Sequence, residues 1–372
     1  MVYALQADGS ITTDFTPDVV WVYRRHRRQW LEAWQRGDGS SEFLYALPAL
    51  CDRYRTGFVE EQSSRAFLRA WYPVEWLIAR RVGMGFALDL ALRNLPALNR
   101  AKVLVSTVDT CGLPLALLKR VGLLKSRLVY ISQGLSDRIA VLGTDRWLSR
   151  RYRRLLLAAD ELVTLSAGAG VALAAWLGIP TERVRVLPFG TDCGFWRSTS
   201  PPDAVGTRIV SVGSDAGRDY ATLLAAVGDL PLHIVTRQPL RLDGRASIER
   251  TTDHSARELR DIYSGARFVV IPLAERSQPS GQSAALQAMA CGRAVIHTRT
   301  GGWWGDPYLV DGDNCILVPP GQPAALGDAM RRLWSDTDLC RRLGQRARDT
   351  VAEHFAERHM AIALSATIAA HL

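Results

Sequence analysis

Lysine is nearly missing from this chain: Lys102, Lys119 and Lys125 are the only three in 372 residues, so arginine carries almost all of the positive charge. Long apolar runs are missing too. The best candidate for a bilayer span, Val82 to Leu98, is broken by Asp89, Arg93 and Pro96. The opening MVYALQADGS has neither a basic region nor an apolar core, so no secretory signal is expected. The six cysteines, at 51, 111, 193, 291, 315 and 340, form no pair at metal-ligand spacing. Reduced thiols in a cytoplasmic protein, with no metal, are the expectation. No solenoid-type repeat is visible.

What remains is an ordinary folded composition, 48% hydrophobic and 22% charged. The length exceeds one typical core and predicts two domains. The charge is one-sided. Residues 1–200 hold 27 Lys and Arg against 18 Asp and Glu, whereas residues 201–372 hold 19 of each, so the whole net +9 sits in the first half. Eight of the eleven tryptophans are there as well. Arg24 to Trp34, and Arg150 to Arg154 with the apolar residues that follow, pair cations with apolar side chains. That pattern suits an anionic membrane surface, although solvated basic faces share it. Peripheral contact with the inner face of a membrane is therefore an expectation. Nucleic acid is not an expected partner, because no recognised binding fold is present.

Apolar runs of four to six residues alternate with helical periods, which predicts parallel βαβ units. The strands expected in the first half are Asp18–Tyr23, Gly57–Glu60, Lys102–Ser106, Arg127–Ser132, Glu161–Leu165 and Arg183–Leu187. Helices are expected at Glu42–Tyr54, across Pro73–Leu95, at Arg146–Ala159 and at Ala167–Leu177. The Ser198–Asp203 stretch reads as a linker, and strands resume at Arg208–Val212. The division is 1–197, 198–355, and a terminal helix over 356–372 expected to cross back onto the first domain. Doubly wound domains bind ligands at the carboxyl ends of their strands, so the cleft between two of them is the expected site.

The richest stretch runs from Val269 to Val318. Its loop Pro279-Ser280-Gly281-Gln282-Ser283 opens directly onto a helical run ending at Ala290-Cys291-Gly292. A helix N-terminus offers unpaired N–H groups and partial positive charge, and glycine lets backbone approach a phosphate closely. This block resembles the nucleotide-sugar half of GT-B glycosyltransferases, family 4 in particular, with its "LEAMACG", "PVI", "GG" and "dG-nG-lv-P" phrases. Val186-Leu187-Pro188-Phe189-Gly190-Thr191-Asp192 is similar to that family's "v-PfGvD". Ser211-Val212-Gly213 with Gly217-Arg218-Asp219-Tyr220 resembles its "vGr…kd". Glu258 to Val269, Pro319 to Leu333 and Leu343 to Phe355 resemble further phrases in the same order.

The resemblance implies a fold class of α/β, GT-B, with two Rossmann-like doubly wound parallel-sheet domains. It implies transfer of a sugar from a nucleotide-diphosphate sugar, of UDP or GDP type, to a hydroxyl on a lipid, saccharide or natural product, with retention and without metal or cofactor. Arg218 takes the place of the family's diphosphate clamp, beside Gly213, while Ser214 replaces a second cation. Gln287 stands where a ribose-binding glutamate is usual, and the first glutamate of that pair is replaced at Pro279 or Ser280. Donor contacts then fall to Ser280, Gly281, Gln282 and Ser283, with Arg237 near the base. Substituting Gln287 with Glu is expected to be tolerated or to improve ribose contact. Glu275 and Asp306 flank the donor loop. In the first domain Gln133 stands where relatives carry histidine. Asp109 is the candidate carboxylate for an acceptor hydroxyl, with helix capping as its plain alternative, and His26 is a second candidate base. A GT-B partner protein with impaired catalysis and an inverting GT-B enzyme remain open as other readings.

Overall fold

The computed structural model describes residues 2–372 apart from 7, 14, 61–72, 74–75, 78–79, 81–83, 136, 139–145, 201–205 and 243. The chain forms two compact units. One comprises Met1–Gln35, Phe43–Pro188 and Met360–Leu372; the other comprises Arg36–Glu42 and Phe189–His359.

In the first unit, β1 (Tyr3–Leu5), β2 (Ile11–Thr12), β3 (Val19–Val22), β4 (Thr56–Val59), β5 (Val103–Ser106), β6 (Arg127–Ser132), β7 (Glu161–Thr164) and β8 (Val184–Val186) make one sheet, in the order β2-β1-β4-β3-β5-β6-β7-β8. From β4 to β8 all pairings are parallel. β1 and β2 add an antiparallel edge that the alternation pattern does not announce. Its turn needs Gly9 at φ 83, and the Asp8 carboxylate accepts the Ser10 N–H at 2.8 Å. The helices are α1 (Arg28–Gln35), α2 (Leu47–Leu50), α3 (Leu88–Leu98), α4 (Asp109–Arg120), α5 (Arg146–Leu156) and α6 (Ala167–Leu177). α6 shows why its ends fall where they do: the Ser166 hydroxyl caps its start, and Gly178 at φ 71 ends it.

Two expected helices differ. The helix expected over Glu42–Tyr54 is broken into a short 3-10 turn at Glu42–Leu44 and the single turn α2. Tyr45 and Ala46 take left-handed φ values of 51 and 59. Trp21 Nε1 donates to the Tyr45 carbonyl and Tyr23 Oη to the Leu44 carbonyl, so two buried strand aromatics use the carbonyls a helix would need. Of the helix expected over Pro73–Leu95, residues 74–75, 78–79 and 81–83 lie outside the described residues, 84–87 are not helical, and α3 begins at Leu88.

The second unit is a six-stranded, all-parallel sheet. Its strands are β9 (Arg208–Val212), β10 (Leu232–Val235), β11 (Ile248–Thr251), β12 (Ala266–Ile271), β13 (Val295–Thr298) and β14 (Ile316–Val318). The order β11-β10-β9-β12-β13-β14 reverses direction between β9 and β12, which is the doubly wound arrangement with its switch point there. Around it lie α7 (Tyr220–Ala226), α8 (Ala256–Ser264), α9 (Gln282–Ala290), α10 (Pro323–Ser335) and α11 (Thr337–His354); α12 (Glu357–Ala369) leaves this unit and ends in the first. Ile209, Phe268, Val270, Ile296 and Leu333 form the core of this unit. Burial of such side chains contributes about 1.5–3 kcal/mol each.

The segment Arg36–Glu42 is held in the second unit by specific contacts. Asp38 pairs with Arg257 at 2.6 Å. The Ser41 hydroxyl lies 3.2 Å from Asp192 Oδ2 and also bonds Glu357 Oε2. At the end of α12, the Tyr54 and Ser365 hydroxyls meet at 2.8 Å within the first unit. Among the described residues no helix is long and apolar enough to cross a membrane.

Candidate functional site

In the second unit the carboxyl ends of β9, β12 and β13 converge on the N-terminus of α9. Gly281 is the residue before that helix, at φ 74, and its Cα face is crowded. A Cβ built there would lie 2.4 Å from Ile271 Cγ2 and 3.2 Å from both Arg218 Nη1 and His297 Nε2. Only glycine fits this position, and it brings the first N–H groups of α9, which have no partner within the helix, next to a cation.

Arg218 is only 8% exposed. Its guanidinium lies over the open face of Gly213, where an added Cβ would stand 2.0 Å from Nε. Its Nε donates to Asp215 Oδ2 at 2.9 Å, and its Nη1 is buried with no hydrogen-bond partner. Burial opposes ionisation of Asp215, but Arg218, the Ser280 hydroxyl, the Gly217 N–H and Arg276 outweigh it and hold the carboxyl below its usual range. A cation with one edge fixed and another unpaired, beside a helix N-terminus, is arranged to receive an anion.

The neighbouring residues have defined tasks. The Ser280 hydroxyl donates to Asp215 Oδ1 at 2.6 Å. Ser214 Oγ accepts the Arg237 N–H at 2.9 Å, so it fixes the turn after β10. The Arg237 guanidinium pairs with Asp253 on the exposed surface. Gln282 is buried and Ser283 half-buried at the start of α9. Glu275 accepts the Gly301 N–H at 2.8 Å, and Asp306 accepts from Trp303 Nε1 at 3.0 Å, so both carboxylates shape the glycine-tryptophan loop.

Gln287 is 5% exposed and its amide is engaged. Its Nε2 donates to Glu42 Oε1 at 2.9 Å, and Tyr263 Oη donates to its Oε1 at 3.4 Å. The same Glu42 oxygen accepts from Trp196 Nε1 at 2.8 Å and Ser40 Oγ at 2.9 Å. Burial raises the Glu42 carboxyl above its ordinary value, against these hydrogen bonds.

Three participants escape a sequence reading: Glu42, Asp215 and His297. Asp215 sits between two residues the motif singles out, Gly213 and Arg218, and that was a usable signal. His297, on β13, is 2% exposed. Its Nδ1 faces the Thr298 carbonyl at 2.8 Å and must donate to it. Its ring packs against Trp303 and Trp304, with centroids 5.0 and 5.7 Å away. Burial drives its pKa down to about 3, with Arg218 adding to the effect and the Thr298 bond opposing it. The ring is neutral near pH 7, and its Nε2 is an unpartnered acceptor.

Asp109 and Gln133 come together in the first unit. Asp109 begins α4 without being its cap residue, which is Val108. Its carboxylate accepts from Tyr130 Oη at 2.8 Å, from the Gln133 N–H at 2.9 Å and from the Gly134 N–H at 2.6 Å. Burial raises its pKa against those bonds. Gln133 Nε2 in turn donates to Tyr45 Oη at 2.5 Å and to the Thr107 carbonyl. Asp109 thus organises the Gln133–Gly134 turn. His26 is exposed and makes no part of this cluster.

Residues 216–336 match the family model described as "Glycosyl transferases group 1". The N-acetyl-alpha-D-glucosaminyl L-malate synthase of Bacillus anthracis is 39% identical over 71 residues, which cover 19% of this chain and 18% of that protein. The Anabaena HepE structure in complex with UDP-glucose superposes with a TM-score of 0.67 at 14% identity, covering 95% of this chain and 99% of that one. Sucrose-phosphate synthase from Thermosynechococcus elongatus gives a TM-score of 0.67 at 17% identity, covering 94% and 98%. The fold is α/β and GT-B, with a Rossmann-like sheet in each unit.

Proposed function

We propose that this protein is a glycosyltransferase that moves a sugar from a nucleoside-diphosphate sugar to a hydroxyl acceptor. The observation that carries the reading is the buried Arg218, whose Nη1 has no partner, beside Gly281 at the N-terminus of α9. The match of residues 216–336 to group 1 glycosyltransferases points the same way.

Charge accumulates on the diphosphate as the glycosidic bond breaks, and fixed donors aimed at it lower the barrier. Arg218 supplies one such donor and the α9 N-terminus supplies others, so a clamp is available from the chain itself. Retention and independence of metal belong to the same proposal and rest on the family 4 resemblance. UDP is the first donor nucleotide to test, because HepE was solved with UDP-glucose. The experiment is release of UDP or GDP from a panel of nucleotide sugars with a mixed hydroxyl-acceptor library, followed by the anomeric configuration of any product.

One set of contacts favours a different reading, that of a GT-B partner protein with impaired catalysis. The Ser280 hydroxyl is engaged by Asp215 and the Gln287 amide by Glu42, and the resemblance puts the family's two glutamates at Gln287 and at Pro279 or Ser280. Nucleotide binding without turnover on any donor would favour it.

For the acceptor, the proposal is an amphiphile or lipid met at an anionic surface. α5 presents Trp147, 56% exposed, with Arg151 stacked on its ring at 5.1 Å and Arg150 and Arg154 also exposed. Arg120 at the end of α4 reaches the Arg154 carbonyl at 3.4 Å, which joins exposed Val121 and Leu123 to this face. Trp30 adds a second exposed aromatic, with Arg27 over its ring at 4.3 Å.

A further inference from the structure

Resting on the reading of this chain as a glycosyltransferase, we infer that its acceptor carries a phosphate or carboxylate, and that the Arg27 guanidinium in the first unit binds that group. A doubly wound sheet takes its ligand where neighbouring strands send their connections opposite ways. In the first unit that point lies between β3 and β5: β4 pairs with the far side of β3 and β6 with the far side of β5, all in parallel. The loop leaving β3 carries Arg24, Arg25, His26, Arg27 and Arg28 in succession. The loop leaving β5 is tied to the end of β3, because the Thr107 hydroxyl donates to the Val22 carbonyl at 3.1 Å.

Arg27 differs from the cations around it. Arg28 pairs with Glu32 at 3.0 Å, and Arg25 and His26 are exposed. Arg27 is half-buried, and among the described residues no carboxylate or other acceptor meets its guanidinium, whose Nε is buried. The guanidinium lies over the Trp30 ring at 4.3 Å and 5.9 Å from that of Tyr23. Trp30 is itself packed edge-on against Phe43, with centroids 5.4 Å apart. Stacking uses the face of a guanidinium, whereas its five N–H bonds lie in the plane. The rings therefore fix the fork and leave its donors available, and such a fork matches the paired oxygens of a carboxylate or phosphate.

The surroundings favour an anion at the side chain and not at the helix end. Glu60 accepts both the Arg27 N–H and, at 2.9 Å, the Arg28 N–H, so the start of α1 already has its carboxylate. Arg27 also acts on the polar groups at the mouth between β3 and β5. Burial raises the pKa of the Tyr45 hydroxyl, and the Gln133 bond and the Arg27 charge oppose it. Gln133 Nε2 joins that hydroxyl to the Thr107 carbonyl. An anion on Arg27 thus lies beside the crevice that the topology assigns to a ligand.

The test is calorimetry on the intact protein saturated with UDP or GDP, whichever binds, so that the phosphate site of the second unit is filled. Glycerol 3-phosphate, glucose 6-phosphate and glucuronate are titrated beside their neutral counterparts, glycerol and glucose. A parallel arm sediments the protein with phosphatidylglycerol or phosphatidylcholine vesicles, which separates a lipid headgroup from a soluble anion. At least one anionic probe should bind about tenfold tighter than its neutral counterpart, and Arg27→Ala should remove that advantage. Arg27→Lys, which keeps the charge without the fork, should fall between the two. Both variants should hold the nucleotide within about twofold of wild type, and Arg25→Ala should change anion binding less than about twofold. Should Arg27→Ala not fold, Arg27→Met, which keeps a stem over Trp30 and removes the charge, is read the same way. If only phosphatidylglycerol vesicles are bound, and Arg27→Ala releases them, the anion is a lipid headgroup and the inference stands. It is overturned if no anion in either arm is preferred to its neutral counterpart, or if Arg25→Ala costs as much as Arg27→Ala, the mark of diffuse attraction. Failure of the wild type to bind either nucleotide defeats the glycosyltransferase reading itself, and the inference falls with it.

Discussion

The side-chain amide of Gln287 donates to the buried carboxyl of Glu42 at 2.9 Å, across 245 residues of sequence. That bond explains why an amide suits this helix position in this chain. A glutamate at 287 would set a second carboxyl against Glu42 Oε1, and the pair could keep the contact only by holding a proton between them. Gln287→Glu is therefore expected to destabilise the fold by about 2–4 kcal/mol, the scale of an unpaired buried charge or polar group. Urea unfolding near neutral pH measures it, and an unchanged midpoint would mean that residue 287 faces solvent or ligand instead. The expectation from sequence alone concerned ribose contact, and nucleotide affinity of the same variant measures it.

Glu357 makes stability depend on pH. A hydroxyl has one proton, so Ser41 donates to only one of Asp192 and Glu357 at a time. Burial lifts the Glu357 carboxyl to about 7, with Asp192 and Glu42 adding and the Ser41 bond opposing. A folded value above the unfolded one means that its contribution is complete below about 4.5 and lost as pH rises through about 7. Glu357→Gln, which mimics the protonated form, should remove a pH dependence on the order of 2 kcal/mol between pH 5 and pH 8. Parallel stability curves for the two proteins would refute the assignment.

Asp109 is expected to behave as a structural residue. Asp109→Asn keeps an oxygen for the Gln133 and Gly134 N–H groups only by turning an NH2 toward Tyr130 Oη, which loses that acceptor and the charge. The expected cost is roughly 1–3 kcal/mol of stability. A stable variant with normal unfolding and greatly reduced turnover would instead make Asp109 a base for the acceptor.

The sequence carried the second sheet well, and the reason is locality. β9, β12 and β13 are short runs dominated by apolar residues, and the Ser280–Ser283 loop is marked by residues whose backbone preference is strong. Arg218 was legible because it lies a few residues past β9. Contacts made at long range were not. The Glu42–Gln287 bond, and the left-handed Tyr45 and Ala46 that break a plausible helix, depend on Trp21, Tyr23 and Trp196 arriving from elsewhere in the chain. His297 is one polar residue in a buried strand, and its significance rests on which of its two nitrogens finds a partner.

The basic face of the first unit gives a prediction of its own. Each cation near an anionic surface contributes about 1 kcal/mol, so Arg120, Arg150, Arg151 and Arg154 together are enough for peripheral binding. The protein should sediment with anionic vesicles at low salt, remain free with neutral ones, and be released as salt is raised. Trp147→Ala should weaken retention. Failure to sediment with either vesicle at low salt would favour a soluble acceptor.

The central claim is a diphosphate held by Arg218 at the start of α9. Calorimetry of UDP and GDP against wild type and Arg218→Ala tests it most directly. A nucleoside diphosphate should bind the wild type, and Arg218→Ala should lose roughly 1.5–3 kcal/mol of that binding, the range for a charged hydrogen bond. Equal affinity in the two proteins would contradict the account.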